Sequence, residues 1–148
     1  MGKLNTNKEI NTLNRKIELL EHAVGANAEV YYNINLTRDL VPGRIYRMTG
    51  DEKQDINKQM GLPENAAFSQ IVSYWGDRMP EEEKNAYFDF LSISRLLKRF
   101  ENGEYHVTHK YWTGNALSDS ILAEQHIIMY ADEENGDVLG FSYVHNLT

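Results

Sequence analysis

The sequence predicts an α+β fold in which helices lie between two groups of antiparallel strands. Apolar and polar residues alternate in two segments before the helices and in three segments after them, as they do in half-buried strands. Between these groups, apolar residues recur at helical spacing, and glycine or proline marks most segment ends. The length of 148 residues fits one such domain, preceded by an amphipathic helix.

The amino-terminal helix is predicted over residues 6–24, with Gly25 as its stop. Its apolar residues are spaced three and four apart, as in a coiled-coil seam, and they are Ile10, Leu13, Ile17, Leu20 and Val24. The helix packs either on its own domain or on the same helix of a second chain, and both roles are compatible if they use different faces. We therefore divide the chain into a helical unit, residues 1–25, and a domain, residues 26–148.

A hairpin and two short helices are predicted next. The hairpin strands are residues 28–36 and 44–48, which are separated by a proline-glycine turn. A polar helix over residues 52–60 and an amphipathic helix over residues 66–75 follow, each with a glycine at its end.

One long helix is predicted from Pro80 to Asn102, where Gly103 closes it. Three glutamates at its start complement the positive end of the helix dipole. Its predicted buried stripe consists of Tyr87, Phe90, Ile93, Leu97 and Phe100.

Three strands complete the chain, at residues 105–113, 122–131 and 138–147. The middle strand contains four consecutive apolar residues, Ile127 to Tyr130, which indicates that both of its faces are covered. The helices between the strand groups cover one face, and the amino-terminal helix is the candidate cover for the other.

The order of elements and three short stretches resemble a PAS sensor domain. The long helix runs through Asn102-Gly103 into a strand, a hairpin from Asp132 to Gly136 precedes a strand with Gly140, and the chain ends in Asn146-Leu147-Thr148. Many PAS domains end in Asp-Ile-Thr instead. The resemblance implies a five-stranded antiparallel sheet with its helices inserted between strands 2 and 3. It also implies a non-enzymatic sensory module linked to an output domain outside this chain, such as a diguanylate cyclase or a histidine kinase.

The amino-acid composition disfavours or excludes several kinds of partner and site. The formal net charge of −7 disfavours a nucleic-acid partner, since such binding depends on clustered lysine and arginine. The absence of cysteine excludes disulfides and thiolate sites. No apolar stretch is long enough to span a bilayer, and the expected location is cytoplasmic.

A ligand pocket is predicted between the helices and the sheet, because aromatic residues there surround a few polar groups. Its candidate residues are Tyr32, Trp75, Tyr87, His109, Tyr111 and His126. The same aromatic residues are equally suited to fill a core without any ligand. The sequence indicates no particular cofactor.

No metal site is predicted from the nearest pair of histidines. His106 and His109 are three residues apart on a strand, so their side chains point to opposite faces. His126 and His145, on the next two strands, are possible neighbours of either one. Two alternatives to the sensor remain: a small enzyme of the nuclear-transport-factor-like type with acid–base chemistry centred on a histidine, and a structural dimerisation module without a ligand.

Overall fold

The fold is built on a six-stranded antiparallel sheet. The computed structural model describes residues 14–19, 30–49, 51–113 and 121–147. The strands are β1 (Val30–Asn35), β2 (Tyr46–Thr49), β3 (Glu52–Asp55), β4 (His106–Thr113), β5 (Ile121–Ala131) and β6 (Val138–Asn146). They lie in the order β3-β2-β1-β6-β5-β4, so β1, β6 and β5 are interior strands.

Four helices lie between β3 and β4: α1 (Ile56–Met60), α2 (Phe68–Asp77), α3 (Glu81–Phe90) and α4 (Ile93–Glu101). Together with the sheet they confirm the predicted α+β class. The helices of the described residues include none that is long and apolar enough to cross a membrane.

The predicted count of five strands is wrong, because half of the predicted helix over residues 52–60 forms β3. The carboxylate of Asp55 accepts a hydrogen bond from the backbone N–H of Lys58, so it caps a helix that begins only at Ile56. The residues before this cap pair with β2 instead, and the Nζ atom of Lys53 lies 3.9 Å from the centre of the Tyr46 ring. The predicted stop is correct, since Gly61 ends α1 in the left-handed conformation.

The prediction of one long helix is also wrong, because the chain breaks between α3 and α4. Ser92 has an extended backbone, and its carbonyl accepts the first hydrogen bond of α4, from Leu96. On a continuous helix, Leu91 and Leu96 would each lie about 40° beyond an edge of the predicted stripe, beside Tyr87 and Phe100 respectively. In the structure both leucines are buried. The break thus goes with the burial of two leucines that the predicted stripe left out.

The main core lies between the helices and the face of the sheet that we call the inner face. Alternate residues of β1 and β5 supply it, for example Ile34 and Ile127, both almost fully buried. Helices α2 and α3 approach closely at Gly76, where any Cβ would collide with the ring of Phe88. Any larger residue at this helix contact would therefore have to displace the ring of Phe88.

The opposite, outer face of the sheet carries a smaller apolar cluster. Residues 14–19 are helical, and Leu19, only 3% exposed, packs with Phe141 and Tyr143. The Cζ atom of Arg15 lies 5.7 Å from the centre of the ring of Tyr130. The amino-terminal helix thus covers part of the second face of β5, as the run of apolar residues predicted.

The predicted coiled-coil seam can be judged at only one position. Ile17 is 51% exposed, because it lies two residues and about 200° around the helix from the buried Leu19. The other seam residues, Ile10, Leu13, Leu20 and Val24, lie outside the described residues.

Candidate functional site

A cavity of about 370 Å³ lies between the inner face of the sheet and helices α2 and α3. We call it the tyrosine cavity, because Tyr32 from β1, Tyr87 from α3 and Tyr111 from β4 line it. The rings of Tyr87 and Tyr111 meet edge to face with centres 5.4 Å apart, and Trp75 contacts Tyr32 at 6.2 Å. The cavity therefore has a rigid aromatic wall.

Polar groups with unused hydrogen-bonding capacity also line the tyrosine cavity. Among the described residues, the buried Nε of Arg47 and the buried Oε1 of Gln125 have no hydrogen-bond partner. The amide nitrogen of Gln125 is already engaged, since it donates to the hydroxyl oxygen of Ser142 at 2.9 Å. The described residues that line the cavity include two arginines, Arg47 and Arg78, and no aspartate or glutamate. The lining is thus positively charged.

The three tyrosines are neutral at physiological pH. Burial raises the pKa of Tyr32 to about 12, although its hydrogen bonds with Ser142 and Gln125 lower it slightly. Burial also raises the pKa of Tyr87 and of Tyr111, and the nearby Tyr32 raises both further. The hydroxyl groups thus act as neutral donors and acceptors rather than as bases.

His109 lies on the inner face but beside a different pocket. Its ring stacks between Phe90 and Tyr111, with centres 5.1 Å and 5.8 Å away. The ring faces a neighbouring pocket at α3 and α4 rather than the tyrosine cavity. Burial lowers the pKa of His109, while Glu83 opposes this shift, so the imidazole is neutral at pH 7.

A second polar site lies on the outer face, and we call it the histidine cluster: His106, Glu124, His126 and His145. Glu124 on β5 stands directly opposite His145 on β6, and His126 follows two residues later on the same face of β5. The Oε1 atom of Glu124 lies 2.6 Å from Nε2 of His126 and 3.1 Å from Nε2 of His145. The two Nε2 atoms are 3.2 Å apart.

Further contacts fix the rings of the histidine cluster. The Nδ1 atom of His126 lies 2.9 Å from Nε2 of His106, and its ring stacks on Tyr143 at 4.6 Å with an angle of 7° between the planes. Burial lowers the pKa of His126, and the nearby His106 and His145 lower it further, although Glu124 opposes the shift. Burial raises the pKa of Glu124, but its hydrogen bonds with His145 and His126 more than offset this effect, so the pKa lies below its usual range.

The structure separates the residues that the sequence grouped as one pocket. Tyr32, Trp75, Tyr87 and Tyr111 line the tyrosine cavity, while His109 and His126 do not. His126 was expected near His106 or His109, and it lies beside His106, with His145 joining it. Whether the cavity residues bind a ligand stays a prediction.

The sequence reasoning missed Glu124 in the histidine cluster and the polar cavity residues Arg47, Arg78 and Gln125. Glu124 could have been predicted from the sequence, because an acidic residue and a histidine two residues apart on a strand share one face. Arg47 carries no such signal, since its position at the cavity follows from the pairing of β2 with β1.

No protein-family model and no curated protein matches the sequence. Among solved structures, the chain is similar to the amino-terminal domain of a diguanylate cyclase with a PAS/PAC sensor from Marinobacter aquaeolei. The sequences are 14% identical and the TM-score is 0.45, with 80% of this chain and 94% of that chain covered. A likeness of this size decides neither the family nor the function of this chain.

Proposed function

We propose that this chain is a non-enzymatic sensory module that binds a small carboxylate in the tyrosine cavity and regulates an output domain elsewhere in its protein. The observation that carries the proposal is the combination of an aromatic cavity wall with the unpartnered, buried Nε of Arg47. A cavity of about 370 Å³ falls within the size range of ligand pockets, roughly 300–1,000 Å³. A cytoplasmic location and the PAS resemblance are parts of the same proposal.

The ligand class follows from the lining. A guanidinium favours a carboxylate, which accepts two parallel hydrogen bonds from it. The tyrosines and Trp75 favour an apolar or aromatic body. The unpartnered Oε1 of Gln125 accepts a hydrogen bond from any donor that the ligand carries.

Binding is tested first by native mass spectrometry of the freshly purified chain against its denatured mass, and then by titration with phenylacetate and its neutral amide. We expect phenylacetate to bind more tightly than phenylacetamide, because only the acid pairs with Arg47. Replacing Arg47→Gln should weaken phenylacetate binding about tenfold, as expected for one charge-assisted hydrogen bond.

Two further variants sharpen this test. Ala123→Leu fills the cavity from β5 and should reduce binding of both probes, since Ala123 is a buried lining residue. Arg95→Gln removes an arginine outside the tyrosine cavity and should leave binding unchanged. If neither probe binds and the native mass carries no added ligand, the carboxylate-sensing proposal fails.

The module is proposed to work as a homodimer through the amino-terminal helix. The exposed Ile17 supports this proposal, because Leu19 already occupies the sheet-facing side of the same helix. Replacing Leu13 and Ile17 with aspartate should abolish the dimer and leave the far-UV circular dichroism unchanged. A dimer of unchanged mass would contradict the proposal.

The two alternatives give different results in the same experiments. A small enzyme with a histidine-centred acid–base site would turn over a substrate in isolation and stop when His109 or His126 is replaced. A structural dimerisation module would be a dimer of bare mass that binds neither probe.

A further inference from the structure

Three potential metal ligands converge on the outer face of the sheet. The Oε1 atom of Glu124 and the Nε2 atoms of His126 and His145 are 2.6, 3.1 and 3.2 Å from one another. In a tetrahedral zinc site with bonds of about 2.0–2.1 Å, ligand atoms lie about 3.3 Å apart. To surround an ion, Glu124 and His126 therefore need to separate by about 0.7 Å, and the other two pairs by only about 0.1–0.2 Å.

The backbone holds these three ligands in place. Glu124 and His145 are direct partners in the β5–β6 register, and His126 is the next residue on the same face of β5. Both strands are interior to the sheet, with hydrogen-bonded neighbours on each side. A site on such strands is positioned more rigidly than one on loops.

The surroundings match those of histidine ligands in metal sites. A ligating histidine normally gives its other ring N–H to an acceptor, which fixes the ring. Here Nδ1 of His126 lies 2.9 Å from Nε2 of His106, while Tyr143 stacks on the same ring. The Nζ atom of Lys110 lies 4.0 Å from Oε2 of Glu124, the oxygen that does not face the histidines, and its charge moderates the affinity.

We propose that Glu124, His126 and His145 form a binding site for one divalent cation of the zinc class. Two imidazole nitrogens and one carboxylate favour zinc and its transition-metal neighbours over magnesium and calcium, which prefer oxygen ligands only. The three side chains are 17%, 13% and 20% exposed, so an ion reaches the site from solvent and water completes its coordination. His145 also lines the tyrosine cavity, so the two sites adjoin at this residue, but the proposed cation site does not require a ligand in the cavity.

The test is calorimetric titration of the metal-stripped chain with Zn²⁺. We expect one ion per chain with micromolar or tighter affinity. Zn²⁺ affinity should fall by roughly 100-fold or more in each of the single variants Glu124→Gln, His126→Gln and His145→Gln. Loss of a residue that only supports a ligand costs about 10- to 100-fold in affinity, and loss of the ligand itself should cost more. His106→Gln should fall within that smaller range.

The matched control is His109→Phe, which removes a histidine from the other face of the sheet and keeps an aromatic ring between Phe90 and Tyr111. Zinc affinity should be unchanged in this variant. Binding that persists in the His126 and His145 variants, or that is lost with His109, would overturn the assignment, as would no binding by the wild-type chain.

A measurement on the unmodified chain covers the case in which a ligand variant fails to fold. X-ray absorption of the Zn²⁺-loaded wild-type protein should show only nitrogen and oxygen ligands, with the scattering pattern of two imidazoles. A zinc ion with no imidazole or with one would exclude the proposed ligand set.

Discussion

The two faces of the sheet differ in what covers them, although the same strands build both. The inner face lies under the four helices α1 to α4 and carries neutral tyrosines around a cavity. The outer face is covered partly by one helical segment, around Leu19, and carries the histidine cluster at a partly exposed position. The buried tyrosines are thus neutral, whereas the ionisable groups of the histidine cluster are partly exposed and hydrogen-bonded to one another.

Strand β5 shows most directly how the two faces arise. Ala123, Gln125 and Ile127 point inward, whereas Glu124 and His126 point outward. A shift of the register by one residue would exchange the two sets and bury a carboxylate without its partners. The alternation therefore fixes the register and also directs Glu124 and His126 away from the tyrosine cavity.

The largest expected effect is a difference in the free energy of unfolding between substitutions on the two faces. Ile127→Ala should lower the free energy of unfolding by about 2–5 kcal/mol, because this side chain is completely buried on the inner face. Ile128→Ala changes the neighbouring isoleucine, which is only partly buried on the outer face, and should cost clearly less. Urea denaturation of both variants measures the difference. Equal costs would show that the outer face is packed as tightly as the inner one.

A smaller effect concerns the cover of the outer face. Leu19→Ala should increase the amide hydrogen exchange of residues 14–19 by roughly 5- to 30-fold, because a loss of one or two kcal/mol changes a local opening equilibrium by that factor. Ile17→Ala in the same helical segment should change exchange little, since its side chain is exposed. Similar increases in both variants would contradict the docking of this helix through Leu19.

Sequence reasoning predicted the outer cover, the inner face and the hairpins because these depend on local periodicity. It failed at β3, where the residues before the Asp55 cap pair with β2, and at Ser92, whose extended backbone separates α3 from α4. The Asp55 cap is local, but the strand pairing and the packing around the break form only in the folded chain. The predicted pocket residues are divided between different sites for a related reason: the alternation shows which residues share a face of a strand, but which face receives the helices follows from the completed sheet.

The smallest effect lies at the end of the interior strands, where Asp137 accepts hydrogen bonds from Asn35 at 3.0 Å and from Arg38 at 2.7 Å. The hydrogen bond from Asn35 and the contact with Arg38 lower the pKa of Asp137 below its usual value. A carboxyl group whose pKa is lower in the folded state stabilises the fold above its unfolded pKa, and this contribution is lost as the pH falls through the folded pKa.

Asp137→Asn should therefore destabilise the chain at pH 7, and the difference from the wild type should shrink below about pH 4, the usual range for an aspartate. Urea denaturation at several pH values measures this convergence. Asp51→Asn, at an exposed turn between β2 and β3, controls for the loss of one negative charge. A constant difference down to pH 2 would mean that Asp137 acts through packing or neutral hydrogen bonds. The attachment of the β5–β6 hairpin to β1 would then depend on shape rather than on charge.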